Sequence, residues 1–270
     1  MDGKDRKKYV KFSVETASEK TSPEILIRKG GQNQNEYIRG IETDYDQKFG
    51  WPPELKGICK TLCIEWLKFI MVNNCPMEKM YHFSEINSSV DLYGSLEKTW
   101  DALGRMITMQ SFYAKDWEAV QKPDKKDLSF SLKSYDKKVP DRTIKDVEEA
   151  LIKECSGGMM KLKSFTKIDQ GNFIKFFDNY LSKVFELRSS RYFILGLCWE
   201  KDAHAIAGVV NSDDIVVYEP NKGVYILPKS GGMEELLCQM SSRRESVEYY
   251  IFSEIEGPGY DCGCGCCVLI

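Results

Sequence analysis

Only two histidines, His82 and His204, are available to activate any of the ten cysteines in this 270-residue chain. Cys59 has the most distinctive setting among those thiols, within Gly57-Ile58-Cys59-Lys60-Thr61-Leu62-Cys63-Ile64-Glu65-Trp66-Leu67. Trp51-Pro52-Pro53 precedes this stretch and Asn73-Asn74-Cys75-Pro76 closes it. A diproline does not sit inside a helix and the Asn-Asn…Pro cluster ends one, so the spacing predicts a single helix between them. Cys59 falls in its first turn, where unpaired backbone N–H groups and the helix dipole favour a thiolate. Such a thiolate is a nucleophile, although a buried cysteine serves equally well as a small hydrophobe. Thr61, Glu65 and Lys68 recur at i, i+4 and i+7 with Lys60 beside them, which predicts one narrow stripe facing water and the rest buried.

The partner for that thiolate must come from the second half of the chain. His82, in Met80-Tyr81-His82-Phe83, has no acid or glycine pattern around it and reads as structural or surface. His204 opens a predicted strand directly after the polar turn Glu200-Lys201-Asp202. The next predicted strand ends at Tyr218-Glu219-Pro220-Asn221-Lys222-Gly223, and a tight turn at Asn211-Ser212-Asp213 joins the two. Antiparallel pairing then sets His204 beside Glu219, whose carboxylate accepts a hydrogen bond from the imidazole. Cys59, His204 and Glu219 thereby form a nucleophile, base and orienting acid. Each is ordinary taken singly; the combination carries the chemistry.

The elements that position them follow from periodicity. Residues 1–45 read as a mobile polar arm with a short strand at Glu24–Arg28, 46–256 as one domain, and 257–270 as a flexible tail. Helical spacing continues over 77–120 through Leu92, Leu96, Trp100, Leu103 and Ile107. Residues 121–143 are a polar connection with room for a short strand at Leu128–Leu132. A helix follows Thr143 to Cys155 and breaks at Gly157-Gly158, and another covers Asn172 to Leu187. Strands then dominate: Tyr192–Trp199, Ala203–Val210, Asp214–Asn221, Gly223–Leu227 and, after a helix over Met233–Met240, Val247–Phe252. Helices first and an antiparallel meander second is an α+β layout.

Composition bounds the function. Hydrophobic content of 42% with 12% aromatics suits a packed core, and a net charge of −3 without segregated basic stretches gives no nucleic-acid signature. No apolar run of ~18 residues predicts a transmembrane helix, and no signal-peptide pattern opens the chain. Cys59, Cys63, Cys75, Cys155, Cys198 and Cys238 are scattered through apolar segments as reduced core thiols would be, which fits a reducing cytosol. The last four, Cys262, Cys264, Cys266 and Cys267, crowd the terminus. Their Cys-x-Cys-x-Cys-Cys spacing lacks the two-residue gap of structural zinc sites, and no metal or cofactor is expected. Cys267-Val268-Leu269-Ile270 is instead a Cys-aliphatic-aliphatic-X terminus, the pattern read by eukaryotic prenyltransferases. One lipid anchors weakly and a second makes attachment stable, so Cys262, Cys264 and Cys266 are candidate palmitoylation sites.

Gly57-x-Cys59-x-x-Leu62-x-x-x-Trp66-Leu67, Ala203-His204-Ala205-x-Ala207 and Glu219-Pro220-Asn221-x-Gly223 together resemble the YopT/AvrPphB-type cysteine proteases. These are papain-like effectors that bacteria deliver into host cells. The resemblance spans roughly residues 50–252 and implies a papain-like α+β fold, with the nucleophile helix of a helical subdomain packed on an antiparallel sheet. It also implies Cys59 as nucleophile, His204 as general base and Glu219 as orienting acid. The chain departs from the family twice. Glu219 stands where the family has Asp, about 1.5 Å longer in reach. Trp51-Pro52-Pro53-Glu54-Leu55-Lys56 also holds no amide side chain to serve as an oxyanion donor before the cysteine.

The expectation is therefore a thiol endopeptidase that cleaves a host protein, held on the cytoplasmic face of a host membrane by a tail that a host prenyltransferase modifies. Two other readings remain open on the residues alone: a membrane-anchored binding protein on a decayed protease scaffold, and acyl or amide transfer by the same Cys–His pair.

Overall fold

The Cys59 segment ends as its flanking signals predict. In a computed structural model, which describes residues 27–29, 57–121, 143–187, 189–199, 202–212, 214–241 and 246–258, helix α1 runs Cys59–Met71. The helical part continues with α2 (Met77–Met80), α3 (Ile86–Tyr93), α4 (Leu96–Gln121) and α5 (Ile144–Ser156). Helix α5 has the clearest punctuation. Thr143 and Asp146 form a reciprocal capping box, and Gly157 takes the left-handed conformation at φ 66° that ends the helix. The expected arm, apart from residues 27–29, and the expected strand at Leu128–Leu132 lie outside the described residues, as does the cysteine-rich tail.

Strand β1 (Ile27–Lys29) precedes the helices. The rest of the sheet comes from the second half: β2 (Lys161–Asp169), β3 (Arg191–Cys198), β4 (Ala203–Val210), β5 (Ile215–Glu219), β6 (Gly223–Leu227) and β7 (Tyr249–Glu256). Helix α6 (Phe173–Leu187) lies between β2 and β3, and α7 (Gly232–Ser241) between β6 and β7. Among the described residues the strands form one sheet in the order β1-β6-β5-β4-β3-β7-β2, each neighbouring pair antiparallel. The predicted meander is the run β3 to β6.

Alternation along the central strands feeds two cores. Ile194, Ala205, Ala207, Val209, Val216 and Tyr218 pack with α1, α4 and α5. Phe193, Leu195, Leu197, Ile206, Val210 and Val217 meet α6 and α7 on the other face. Both faces being covered, β4 reads in sequence as an almost unbroken apolar run rather than an alternating one. Trp66 anchors α1 to the sheet by stacking on Tyr218, ring centroids 5.4 Å apart at 16°.

Two expectations are corrected, and one strand had no sequence signal. Of the α1 stripe assigned to water, Lys68 is half-buried, whereas Lys60, Thr61 and Glu65 are 3%, 0% and 5% exposed. Each is buried because it has a partner. Lys60 Nζ lies 2.5 Å from Glu148 Oε2, the Thr61 hydroxyl donates to Ile58 O at 3.1 Å, and Glu65 accepts from Lys68 and from the Tyr93 hydroxyl. Strand β2 was not anticipated. It is an outer, lysine-bearing strand without alternating burial, and its register slips between Leu162 and Ser164. Cys238 is exposed on α7 rather than a core thiol.

Candidate active site

Helix α1 begins against the sheet at the N-terminal end of β4. Its N-cap is Ile58, whose side chain provides no acceptor for the first-turn N–H groups. One of those donors finds its acceptor in another element: Thr61 N donates to Gln110 Oε1 of α4 at 3.2 Å. This contact ties α4 to the turn that carries Cys59.

Strand β4 delivers the histidine and β5 the acid. The register Ala207↔Tyr218 aligns the two strands, and Asn211 closes their turn by accepting from Asp214 N through Oδ1 at 2.6 Å. Beyond the last paired residues, Glu219-Pro220-Asn221-Lys222 makes a tight turn in which Lys222 N donates to Glu219 O at 2.9 Å. Proline suits its second position, and Gly223 accepts the φ of 105° with which β6 starts. The turn places Glu219 Oε1 2.6 Å from His204 Nε2, and the same oxygen accepts from Asn221 N at 2.9 Å. His204 is 6% exposed and Glu219 1%.

With Nε2 committed to Glu219, Nδ1 is the ring nitrogen left for the side-chain hydrogen bond between His204 and Cys59. The electrostatics then favour charge separation. Burial pushes the Cys59 thiol up, but the hydrogen bond and charge of His204, a backbone hydrogen bond at Ala205 and the nearby Lys60 carry it below its ordinary value. Burial pulls the His204 imidazolium down, while its hydrogen bonds to Cys59 and Glu219, and their negative charge, push it up to about 10. The pair is poised as thiolate and imidazolium. Cys63, one turn deeper, is fully buried, and burial drives its thiol well above the ordinary range. It is a core residue.

A cleft of about 500 Å³ opens over Cys59 between α4 and the β3–β4 end of the sheet, walled by Tyr113, Trp117, Trp199 and Tyr249. Its floor is a buried polar network. Glu148 accepts from Lys60, from the Ser253 hydroxyl at 3.3 Å and from the Tyr113 hydroxyl. A larger cavity of about 630 Å³, beside Asn73, Cys75 and His82, lacks such activation. There burial raises the Cys75 thiol, and His82 is exposed and bound to Glu85 at 2.8 Å, in line with its surface reading. Among the described residues no cluster of His, Cys, Asp or Glu has the geometry to hold a metal ion.

No family model and no curated protein sequence matches this chain. Among solved structures it is similar to the Pseudomonas avirulence protein AvrPphB, with 17% identity, a TM-score of 0.48, and coverage of 74% of this chain and 91% of that one. It is also similar to the ubiquitin-specific protease encoded by murine cytomegalovirus tegument protein M48, with 12% identity, a TM-score of 0.40, and coverage of 86% and 85%. The chemistry of the site rests on its own geometry rather than on these likenesses.

Sequence spacing thus brought together three residues that the fold also brings together. It missed Gln110, Lys60 and Glu148 as parts of the same cleft. One signal was available: Gln110 continues the buried helical stripe of Leu103, Met106 and Ile107, where an apolar residue is the norm.

Proposed function

We propose that this chain is a cysteine endopeptidase. The single observation that carries the reading is the chain of contacts Cys59, His204, Glu219 at the mouth of an open cleft. Cys59 Sγ attacks the scissile carbonyl carbon, forming the S–C bond and moving the carbonyl π electrons onto oxygen. As the tetrahedral species collapses, the C–N bond breaks and imidazolium Nδ1–H of His204 protonates the departing amine. The neutral imidazole then takes a proton from water, whose oxygen attacks the thioester and regenerates Cys59. Throughout, Glu219 keeps the ring oriented and stabilises its charged form.

The motif resemblance and the Cys-aliphatic-aliphatic-Ile terminus support a narrower reading: an effector that a bacterium delivers into a host cell, prenylated there on Cys267 and palmitoylated among Cys262, Cys264 and Cys266, cleaving a host protein at the membrane. The test is to profile new protein N-termini in host cells that express the wild type or Cys59→Ala. Cleavage sites present only with the wild type support the reading. A host effect that survives Cys59→Ala without new N-termini marks a binding protein instead, and an acylated or amidated host product marks transfer.

A further inference from the structure

Acyl transfer needs more than a nucleophile and a base, because the carbonyl oxygen becomes an anion that must be stabilised where it forms. The segment Trp51–Lys56 before Cys59 has no amide side chain for this. We propose that Gln110, on α4 and 49 residues beyond the Thr61 N–H that it caps, donates a hydrogen bond to that oxyanion together with the backbone N–H of Cys59. The proposal rests on the protease reading above.

Three observations carry it. Gln110 is 9% exposed yet lines the cleft that holds Cys59 and His204. Its amide head is oriented by chemistry, since Thr61 N–H requires an acceptor and takes Oε1 at 3.2 Å. The two N–H bonds of Nε2 are thereby left over, and Nε2 has no partner among the described residues. A buried amide with both of its N–H donors unused, beside an activated thiol, is what an oxyanion donor looks like before substrate arrives. The second donor is built into the helix. Cys59 is the first residue of α1, so its N–H has no intrahelical acceptor, and no other acceptor meets it among the described residues. One side chain thus caps the nucleophile helix through its oxygen and faces the reacting carbonyl through its nitrogen.

Two reactions of Cys59 in the full-length protein separate the possibilities. Alkylation by iodoacetamide needs the thiolate but forms no oxyanion, whereas acylation by p-nitrophenyl acetate forms one. Both rates are read on each variant's high-pH plateau, with the Cys59→Ala background subtracted. Gln110→Ala removes both ends of the amide, and Gln110→Glu keeps the acceptor for Thr61 N while removing the donor. The expected result is ester acylation lowered about 10²- to 10³-fold in both variants, with alkylation changed by less than about threefold. If either folded variant acylates within about threefold of wild type, or if both reactions fall together, Gln110 is a structural cap only and the proposal is overturned. If wild-type Cys59 itself alkylates like an ordinary thiol, the protease reading fails, and this assignment with it.

Discussion

Glu219 Oε1 sits 2.6 Å from His204 Nε2 and is itself held by the Asn221 N–H at 2.9 Å. The acid is therefore fixed by its own turn before it fixes the imidazole. The extra methylene of glutamate is absorbed without loss of contact.

That arrangement separates orientation from charge. Glu219→Gln retains an acceptor oxygen for Nε2–H and should lose little more than tenfold in kcat/KM, whereas Glu219→Ala should lose about 10²- to 10⁴-fold. Glu219→Asp retracts the carboxylate by about 1.5 Å and should fall between them. Peptide cleavage by the three purified variants orders them, and an Ala variant as active as Gln would show that the acid does not orient the ring.

The pH dependence follows from the two shifts. Cys59 is depressed below its ordinary value near 9, so thiolate is lost only as pH falls through that lowered value. His204 is raised to about 10, so imidazolium is lost as pH rises through it. kcat/KM should describe a bell whose alkaline limb lies near 10, and His204→Ala should move the iodoacetamide limb of Cys59 upward. Identical limbs in the wild type and His204→Ala would sever the link between the two residues.

Lys60 and Glu148 form an ion pair whose side chains are 4% and 1% exposed. Lys60→Met leaves a buried carboxylate with only hydroxyl partners and should cost about 3–5 kcal/mol in urea unfolding. The double change Lys60→Met with Glu148→Leu should recover most of that loss, since the expense lies in the unpaired charge. A single variant as stable as wild type would mean that water reaches the pair.

Phe193 and Gly208 face each other across β3 and β4. A Cβ on Gly208 would lie 2.2 Å from Phe193 Cζ, and Phe193 is fully buried. Gly208→Ala should destabilise by about 1–3 kcal/mol through overpacking, lowering Tm by about 2–4 °C per kcal/mol. Adding Phe193→Leu should relieve part of the loss, whereas an unchanged Tm in the single variant would rule out the overlap.

For the tail, Cys267→Ser should release the protein from host membranes into the soluble fraction. Membrane association that persists in this variant would dismiss prenylation as the anchor.

By itself the sequence determined what is local or periodic. The ends of α1 followed from Pro53 and Pro76, the ends of α5 from Thr143 and Gly157, and the His204–Glu219 juxtaposition from two strands joined by one short turn. In each case the deciding contact is close in sequence or dictated by antiparallel register. Only the tertiary structure decided that Lys60 and Thr61 are buried, because their partners, Glu148 and Gln110, arrive from helices 88 and 49 residues away. Periodicity weighs polarity without knowing whether a partner waits inside, so it sent Lys60, one half of a buried ion pair, to the surface. The edge strand β2 escaped for the converse reason: backbone pairing with β7 holds it, and its side chains carry no burial pattern to read.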